Sequence, residues 1–289
     1  MTDSEVIPPA SKHPAVGGPT AGQGWGSRSL LAMAGLSALF LGLPVMVLVA
    51  RAILDGLLVR ALTADAVLSA LALSLATTAV SLALTVAIGL PLAYVLARRR
   101  FRGSGLIEAV VDLPLVLPPS VAGLALLLTL GRRGFLGGPL DAIGVEIPFT
   151  TLAVVLAQTF VSAPFFVRAT RTGIAGVPRD LEDAARMDGA SEVGVFRHIT
   201  VPLAGSALAA GLVMSWARAL GEFGATIMFA GNVQGRTQTL PLVVYGEFQG
   251  GDIDASIAAA AILILAAFGV LVAVRVLHWG RALDIRGLG

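Results

Sequence analysis

The chain has 289 residues, 56% of them apolar, only 13% charged and none cysteine, with a mean hydropathy of +0.87. That balance places it in the membrane class, and the missing cysteines exclude disulfides, thiolate metal sites and a cysteine nucleophile. The net charge of +2 rests on arginine, because Lys12 is the sole lysine, and basic residues flanking apolar spans explain it without nucleic acid.

In chain order, residues 1–28 carry Pro8, Pro9, Pro14 and Pro19 among Gly and Ser and read as a disordered tail. The first apolar run starts near Ser29 without a small-residue cleavage pattern, which argues against a cleaved signal peptide. Six apolar stretches follow, at 29–50, 66–97, 110–130, 149–170, 203–230 and 255–277. Each is long enough for a helix across a hydrocarbon core of about 30 Å. The predicted fold class is an all-α integral membrane protein with six transmembrane helices, closed by a short tail over 278–289.

Within the second stretch Ser74, Thr78, Ser81, Thr85 and Gly89 form a small-polar stripe, which suits either close helix packing or pore lining. Pro114, Pro118 and Pro119 predict an irregular entry to the third, with Asp112 near the interface. Gln158 and Ser162, four apart on the fourth, are either interhelical hydrogen bonders or pathway residues. Arg218 and Glu222 lie four apart on the fifth, where they share a helix face and can pair. An intramembrane charge is costly and is by default a functional candidate. The pair either gates the pathway or fixes packing; an arginine already neutralised by a glutamate would make a poor permanent anion site.

Arginine placement sets the orientation. Of the 20 basic residues, Arg51, Arg60, Arg132, Arg133 and Arg236 fall on one side and Arg218 inside a span. All others, from Lys12 and Arg28 through Arg98, Arg99, Arg100 and Arg102 to Arg275, Arg281 and Arg286, fall on the opposite side. By the positive-inside rule that second side, with both termini, is cytoplasmic.

The same side holds one long polar segment, "PRDLEDAARMDGASEVGVFRHITVP" (178–202). It predicts a short helix opened by Pro178 and capped by Asp180, with Asp183 reaching back in a capping-box manner. Ala184 and Ala185 would give a small face, and Gly189 the positive φ that ends the helix. Val193, Phe196 and Ile199 recur at three-residue spacing in a second short helix before Pro202. The order suits either an idle surface hairpin or a docking element that enters a groove on a soluble partner.

Asp183, Ala184, Ala185, Gly189, Ile199, Val201 and Pro202 resemble the "EAA" loop of ATP-binding-cassette importer permeases, with Asp183 in place of Glu and Val201 in place of Leu. Further stretches are similar to the molybdate branch of these permeases, with sulfate permeases as near relatives. They are "DLPLVLPPSVAGLALL" (112–127), "GRRGFLG" (131–137), "RALGEFGATIMFAGN" (218–232) and "GRTQTLPLVVY" (235–245). The resemblance implies the type I importer permease architecture. It places a first helix and external loop over 29–65 and a permease domain over 66–277. A coupling loop over 171–202 would use Asp183, Ala184, Ala185, Gly189, Phe196, Ile199 and Pro202. The implied partners are a second copy of the chain, a cytoplasmic ATPase dimer and an external oxyanion-binding protein, with ATP and magnesium on the ATPase. Arg218, Glu222, Ser74, Thr78 and Ser81 are then the pathway or gating candidates.

The segment 231–254 is too polar at its ends to span. Pro241 predicts a helix start there, with Leu240, Leu242, Val243, Val244, Tyr245 and Phe248 lying along the membrane interface or the helix bundle. Arg236, Gln238 and Glu247 are left as docking candidates for the external protein. No G-x-x-x-x-G-K-[ST], H-E-x-x-H or G-x-S-x-G occurs, and His13, His198 and His278 are scattered. ATP hydrolysis is therefore expected on another chain, with no cofactor or metal here. The implied function is the permease subunit of an ATP-driven molybdate importer in the cell membrane. Sulfate, thiosulfate or tungstate are alternative cargoes. A gradient-driven secondary anion transporter is the competitor from another class; such proteins often carry internal repeats and broken helices, and no convincing repeat relates the two halves here.

Overall fold

The computed structural model describes residues 23–99 and 101–284, with side-chain surroundings from 29 to 272. The expected N-terminal tail lies outside the described residues as far as 22, and residues 23–28 already belong to the first helix. Lys12, His13, Arg100 and Arg286 fall outside as well.

The helices are α1 (Gln23–Leu54), α2 (Leu57–Leu62), α3 (Asp65–Arg98), α4 (Ser104–Val116), α5 (Pro119–Leu130), α6 (Gly137–Ala142) and α7 (Thr151–Ala175). They continue as α8 (Arg179–Met187), α9 (Glu192–Val195), α10 (Val201–Leu203), α11 (Gly205–Leu220), α12 (Gly224–Phe229), α13 (Leu240–Gly250) and α14 (Ile253–Asp284), with a π-helical turn over Phe196–Thr200. The chain divides into two units, 1–48 and 49–289. In the first, α1 exposes Leu30, Leu36, Phe40 and Met46 around its circumference, the pattern of a helix meant for lipid.

Among the described residues four helices are long and apolar enough to cross a membrane: Ser29–Leu54, Asp65–Arg98, Thr151–Ala175 and Ile253–Val272. The third and fifth expected spans are not single helices, so six spans result if each bent pair crosses once and four if neither does. Helices α4 and α5 meet at 119°. Leu117, which precedes Pro118, is forced to an extended ψ of 134°, and Pro118 follows at ψ 135°. The fifth stretch bends by 74° at Ala204, where it enters α11. It breaks again after Leu220, and the chain restarts helically only at Gly224.

The core lies where α7 packs against α3 on one side and α11 on the other. Ser74, Thr78, Ser81 and Thr85 are fully buried there. Thr159 Oγ1 donates to Ser81 Oγ at 3.1 Å, and Gln158 Nε2 reaches Thr78 Oγ1 at 3.4 Å. Interhelical hydrogen bonds of this kind contribute roughly 0.6–2 kcal/mol each in lipid, so the stripe holds helices together. Gly89 continues it: a Cβ there would sit 3.0 Å from the Phe166 ring and 3.1 Å from Val167.

A second close approach joins the two broken spans. A Cβ on Gly123 of α5 would lie 2.6 Å from the Ala225 carbonyl oxygen and 2.8 Å from Met228 Cβ on α12. Because backbone cannot yield as a side chain can, Gly123→Val is expected to destabilise the chain by about 3 kcal/mol, the upper end for overpacking. Thermal unfolding of the detergent-solubilised protein checks this; an unchanged midpoint would mean that α5 and α12 separate freely.

Helix α13 starts at Leu240, with Pro241 in its first turn, as the sequence predicts. Leu240, Leu242 and Val243 are buried, and α13 packs against α14 and α3. The Leu240 N–H donates to Ser74 Oγ at 2.7 Å, so the stripe on α3 also seats this segment.

Candidate functional site

The charged segment is ordered throughout. Helix α7 ends at Gly176 and Pro178 leads into α8. The expected cap by Asp180 is not made: Pro178 is the N-cap residue and no side chain caps the helix. Asp180 lies inside the first turn, where its helical backbone leaves no geometry for capping, and its charge faces the helix dipole instead. Gly189 has φ +88°, and the second arm begins with Ser191, whose hydroxyl accepts from the Gly194 N–H at 3.1 Å.

Arg186 closes the two arms. Its Nη1 donates to Asp183 at 2.7 Å and its Nε to Glu192 at 2.8 Å. The hydrogen bond from Arg186 holds the Glu192 carboxyl below the usual glutamate range and keeps the guanidinium firmly charged. The link is therefore complete at and above the ordinary glutamate pKa and fails only as pH drops beneath it. Glu192 is largely solvated and Arg186 a third exposed, so the bridge shapes the hairpin while contributing little stability.

One face of the hairpin is bare. On α8 Met187 is 83% exposed and Leu181 48%, and Ala184 is exposed between them, while Val193 of α9 is exposed in the cleft toward α3. Such an apolar patch on an otherwise charged hairpin marks an interaction surface. Met187 and Leu181 were not singled out from sequence, because single apolar residues in a polar loop carry no period. Phe196, grouped with Val193 by spacing, lines the same cleft as Val193 beside α3, and its ring meets Tyr94 edge-on at 5.1 Å.

The carboxylate that anchors the loop is Glu182. Asp183 points outward to Arg186, whereas Glu182 is 3% exposed and its Oε1 accepts from Arg98 Nη2 and from Thr200 Oγ1, both at 2.7 Å. Nothing in the run of acidic residues at 180, 182 and 183 distinguishes the buried one, because its partner is 84 residues away. Two further pairs tie α4 to α7: Arg168 grips Asp112 through two contacts of 2.8 Å, and Arg171 meets Glu108 at 2.8 Å.

Arg218 and Glu222 do come together, but not on one helix face. Gly221 ends α11, and Glu222 folds back so that Oε1 accepts from the Ala225 N–H at 2.6 Å and caps α12. Arg218 Nη1 lies 2.6 Å from Oε2 without aiming an N–H along it, a charge contact rather than a directed hydrogen bond. Glu222 is 1% exposed and Arg218 about a quarter exposed, so the charge sits at the lip of the buried break. Ser74, Thr78 and Ser81 lie in the α3–α7 and α3–α13 seams described above.

At the far end of α5, Arg132, Arg133, Arg236, Glu146 and Phe149 line an open cleft of about 640 Å³. Arg132 pairs with Glu146 at 2.6 Å, while Arg133 and Arg236 make no ion pair among the described residues. The Arg236 carbonyl accepts from Thr151 Oγ1 at 2.8 Å, which fixes the segment on the start of α7. Glu247 lines a different cleft, with Arg60 and Asp252, so the three docking candidates do not form one cluster. Among the described residues no group of three or more His, Asp or Glu could hold a metal ion.

Membrane-length helices, two broken spans and an ordered charged loop pinned by a buried ion pair define a multi-pass helical membrane protein. Its fold overlays on a bacterial ABC transporter that imports the acidic polysaccharide alginate, with a TM-score of 0.71 over 89% of this chain and 96% of that one. At 18% identity this likeness speaks for the fold alone. The chain belongs to the binding-protein-dependent transport system inner membrane components, whose family model matches residues 87–280. It is 44% identical over 206 residues to a molybdenum transport system permease protein, ModB, of Mycobacterium tuberculosis, covering 71% of this chain and 78% of that protein. It is 42% identical over 190 residues to ModB of Escherichia coli K12, covering 65% and 83%. As a membrane component of such a system it is a transport subunit and not the ATP-hydrolysing chain.

Proposed function

We propose that this chain forms the translocation pathway of an ATP-driven molybdate importer, as a homodimer seated on two copies of a cytoplasmic ATPase and served by an external binding protein. The observation that carries the reading is the ordered loop, with its bare face of Leu181, Ala184 and Met187 and its buried anchor at Glu182. A transporter driven by an ion gradient has no use for such a face. Molybdate as cargo is supported by the relatives named for molybdenum transport. The loop and both termini are assigned to the cytoplasm by the arginine distribution. In cells lacking their own importer, the assembled system is expected to take up molybdate, with tungstate competing at equal concentration and sulfate not. Uptake blocked equally by sulfate would move the chain to the sulfate branch.

The cleft with Arg132, Arg133 and Arg236 is then the outward mouth, and its excess positive charge faces the incoming binding protein. Charges at a rim mainly set encounter rate and its salt dependence. Arg236→Glu is expected to slow binding-protein association at low salt, with the difference shrinking at moderate salt and basal ATP hydrolysis unchanged. Stopped-flow association at the two ionic strengths reads this directly. An unchanged rate at low salt would make the segment a structural flap.

A further inference from the structure

We infer that Arg98 and Glu182 form the tie through which the loop drives α3, so that α3 moves with α11 when the ATPase pulls on the loop. This rests on the proposed docking of the loop to an ATPase. The loop is covalently continuous with α7 and α11, but with α3 it communicates only through contacts, and those converge on the last two turns of α3. Tyr94 and Arg98 lie four apart and so share one face of the helix. Tyr94 takes the edge of Phe196 at 5.1 Å. Arg98 donates through Nη2 to the Val177 carbonyl at 3.1 Å, just past α7, and to Glu182 at 2.7 Å on α8. Glu182 passes the tie on to Thr200 in the π-helical turn that leads to α11. Arg179, the first residue of α8, closes the ring by donating to the Arg98 carbonyl at 3.3 Å.

One guanidinium thus joins the ends of α3 and α7, the docking helix and the entry to α11. Its pair with Glu182 is 9% and 3% exposed, in contrast to the open Arg186–Glu192 bridge. A buried pair adds little net stability over apolar residues of similar volume, but it fixes one arrangement. That is what a mechanical link needs: a loop free to slide on α3 would dissipate its displacement. Arg98 and Glu182 are positioning residues, since neither is placed in the pathway or on the docking face.

The test uses the complete transporter, with ATPase and binding protein, in proteoliposomes, and reads molybdate moved per ATP hydrolysed beside ATPase capture by the permease. Glu182→Gln, and the charge-free pair Arg98→Met with Glu182→Leu, are expected to keep capture while transport per ATP falls roughly tenfold, within the range for coupling residues. The second variant leaves no unpaired buried charge, so it guards against misfolding. The natural chain has no cysteine. Tyr94→Cys with Phe196→Cys, added to the charge-free variant and joined by a short bifunctional thiol reagent, is expected to restore the ratio. A normal ratio in the charge-free variant would overturn the inference, as would a completed cross-link that restores nothing. Loss of capture would overturn it too, by showing that the pair shapes the docking face. Failure of the docking reading itself shows separately, as full capture by Ala185→Arg.

Discussion

Ala185→Arg is expected to abolish capture of the ATPase while leaving membrane insertion and yield unchanged. Ala185 is half-buried on α8 beside the exposed Ala184, with Leu181 a turn earlier. A guanidinium there fills the space in which a partner surface must close, and it brings a charge that the contact would have to desolvate. The backbone of the helix is untouched, since arginine is nearly as good a helix former as alanine. Gly189→Pro reaches the same end differently. Gly189 holds φ +88° and its N–H donates to the Arg186 carbonyl at 3.0 Å. Proline offers neither, so about 3 kcal/mol of local order is lost and the hairpin loses its shape. Pull-down of the ATPase, normalised to permease in the membrane, checks both. Normal pull-down with normal uptake would remove the coupling role.

Glu222→Gln is expected to be more harmful alone than together with Arg218→Gln. The glutamine keeps an oxygen for the Ala225 N–H, so the cap on α12 survives and only the charge is lost. What remains is an arginine at the lip of a low-dielectric break, with a cost of roughly 3 kcal/mol at the lower end for a broken buried pair. The lower end is appropriate because Arg218 is about a quarter exposed and its contact with Oε2 is not aligned as a hydrogen bond. A double-mutant cycle on thermal stability, repeated on uptake, gives the coupling energy. Strictly additive effects would mean that the two side chains act independently. Recovery of stability without recovery of uptake would assign the pair to gating rather than to packing.

Much of the fold was legible in the sequence because lipid imposes simple rules. Apolar length located the apolar stretches, and Gly189 and Pro241 did what their backbones dictate. The prolines at 114, 118 and 119 located the break in the third span but not its 119° turn. That angle depends on Gly123 meeting Ala225 and Gly224 meeting Pro119, contacts between residues about a hundred positions apart. The break after Leu220 was missed because Gly221 and Glu222 were read as part of one helix on which Glu222 pairs with Arg218. Glu222, read as a partner on the same helix face, turned out to cap the next helix.

The candidate site was legible in outline, but its buried anchor was not. The resemblance singled out Asp183 for coupling but gave no sign that Glu182 is buried, because the side of α8 that faces Arg98 is set by how α7 ends and not by the segment's own pattern. The ties of Asp112 and Glu108 to α7 were likewise out of reach, since each needs a partner on a helix more than fifty residues away. Broken spans, expected of a gradient-driven transporter, occur here as well, so they do not discriminate between the two classes. The family match and the ordered loop do.

The most direct measurement of the central claim is molybdate uptake into proteoliposomes holding this chain, the ATPase and the external binding protein. The account predicts uptake that requires ATP on the loop side and the binding protein on the other, and that persists when ion gradients are collapsed. Uptake driven by a proton or sodium gradient without ATP would contradict it.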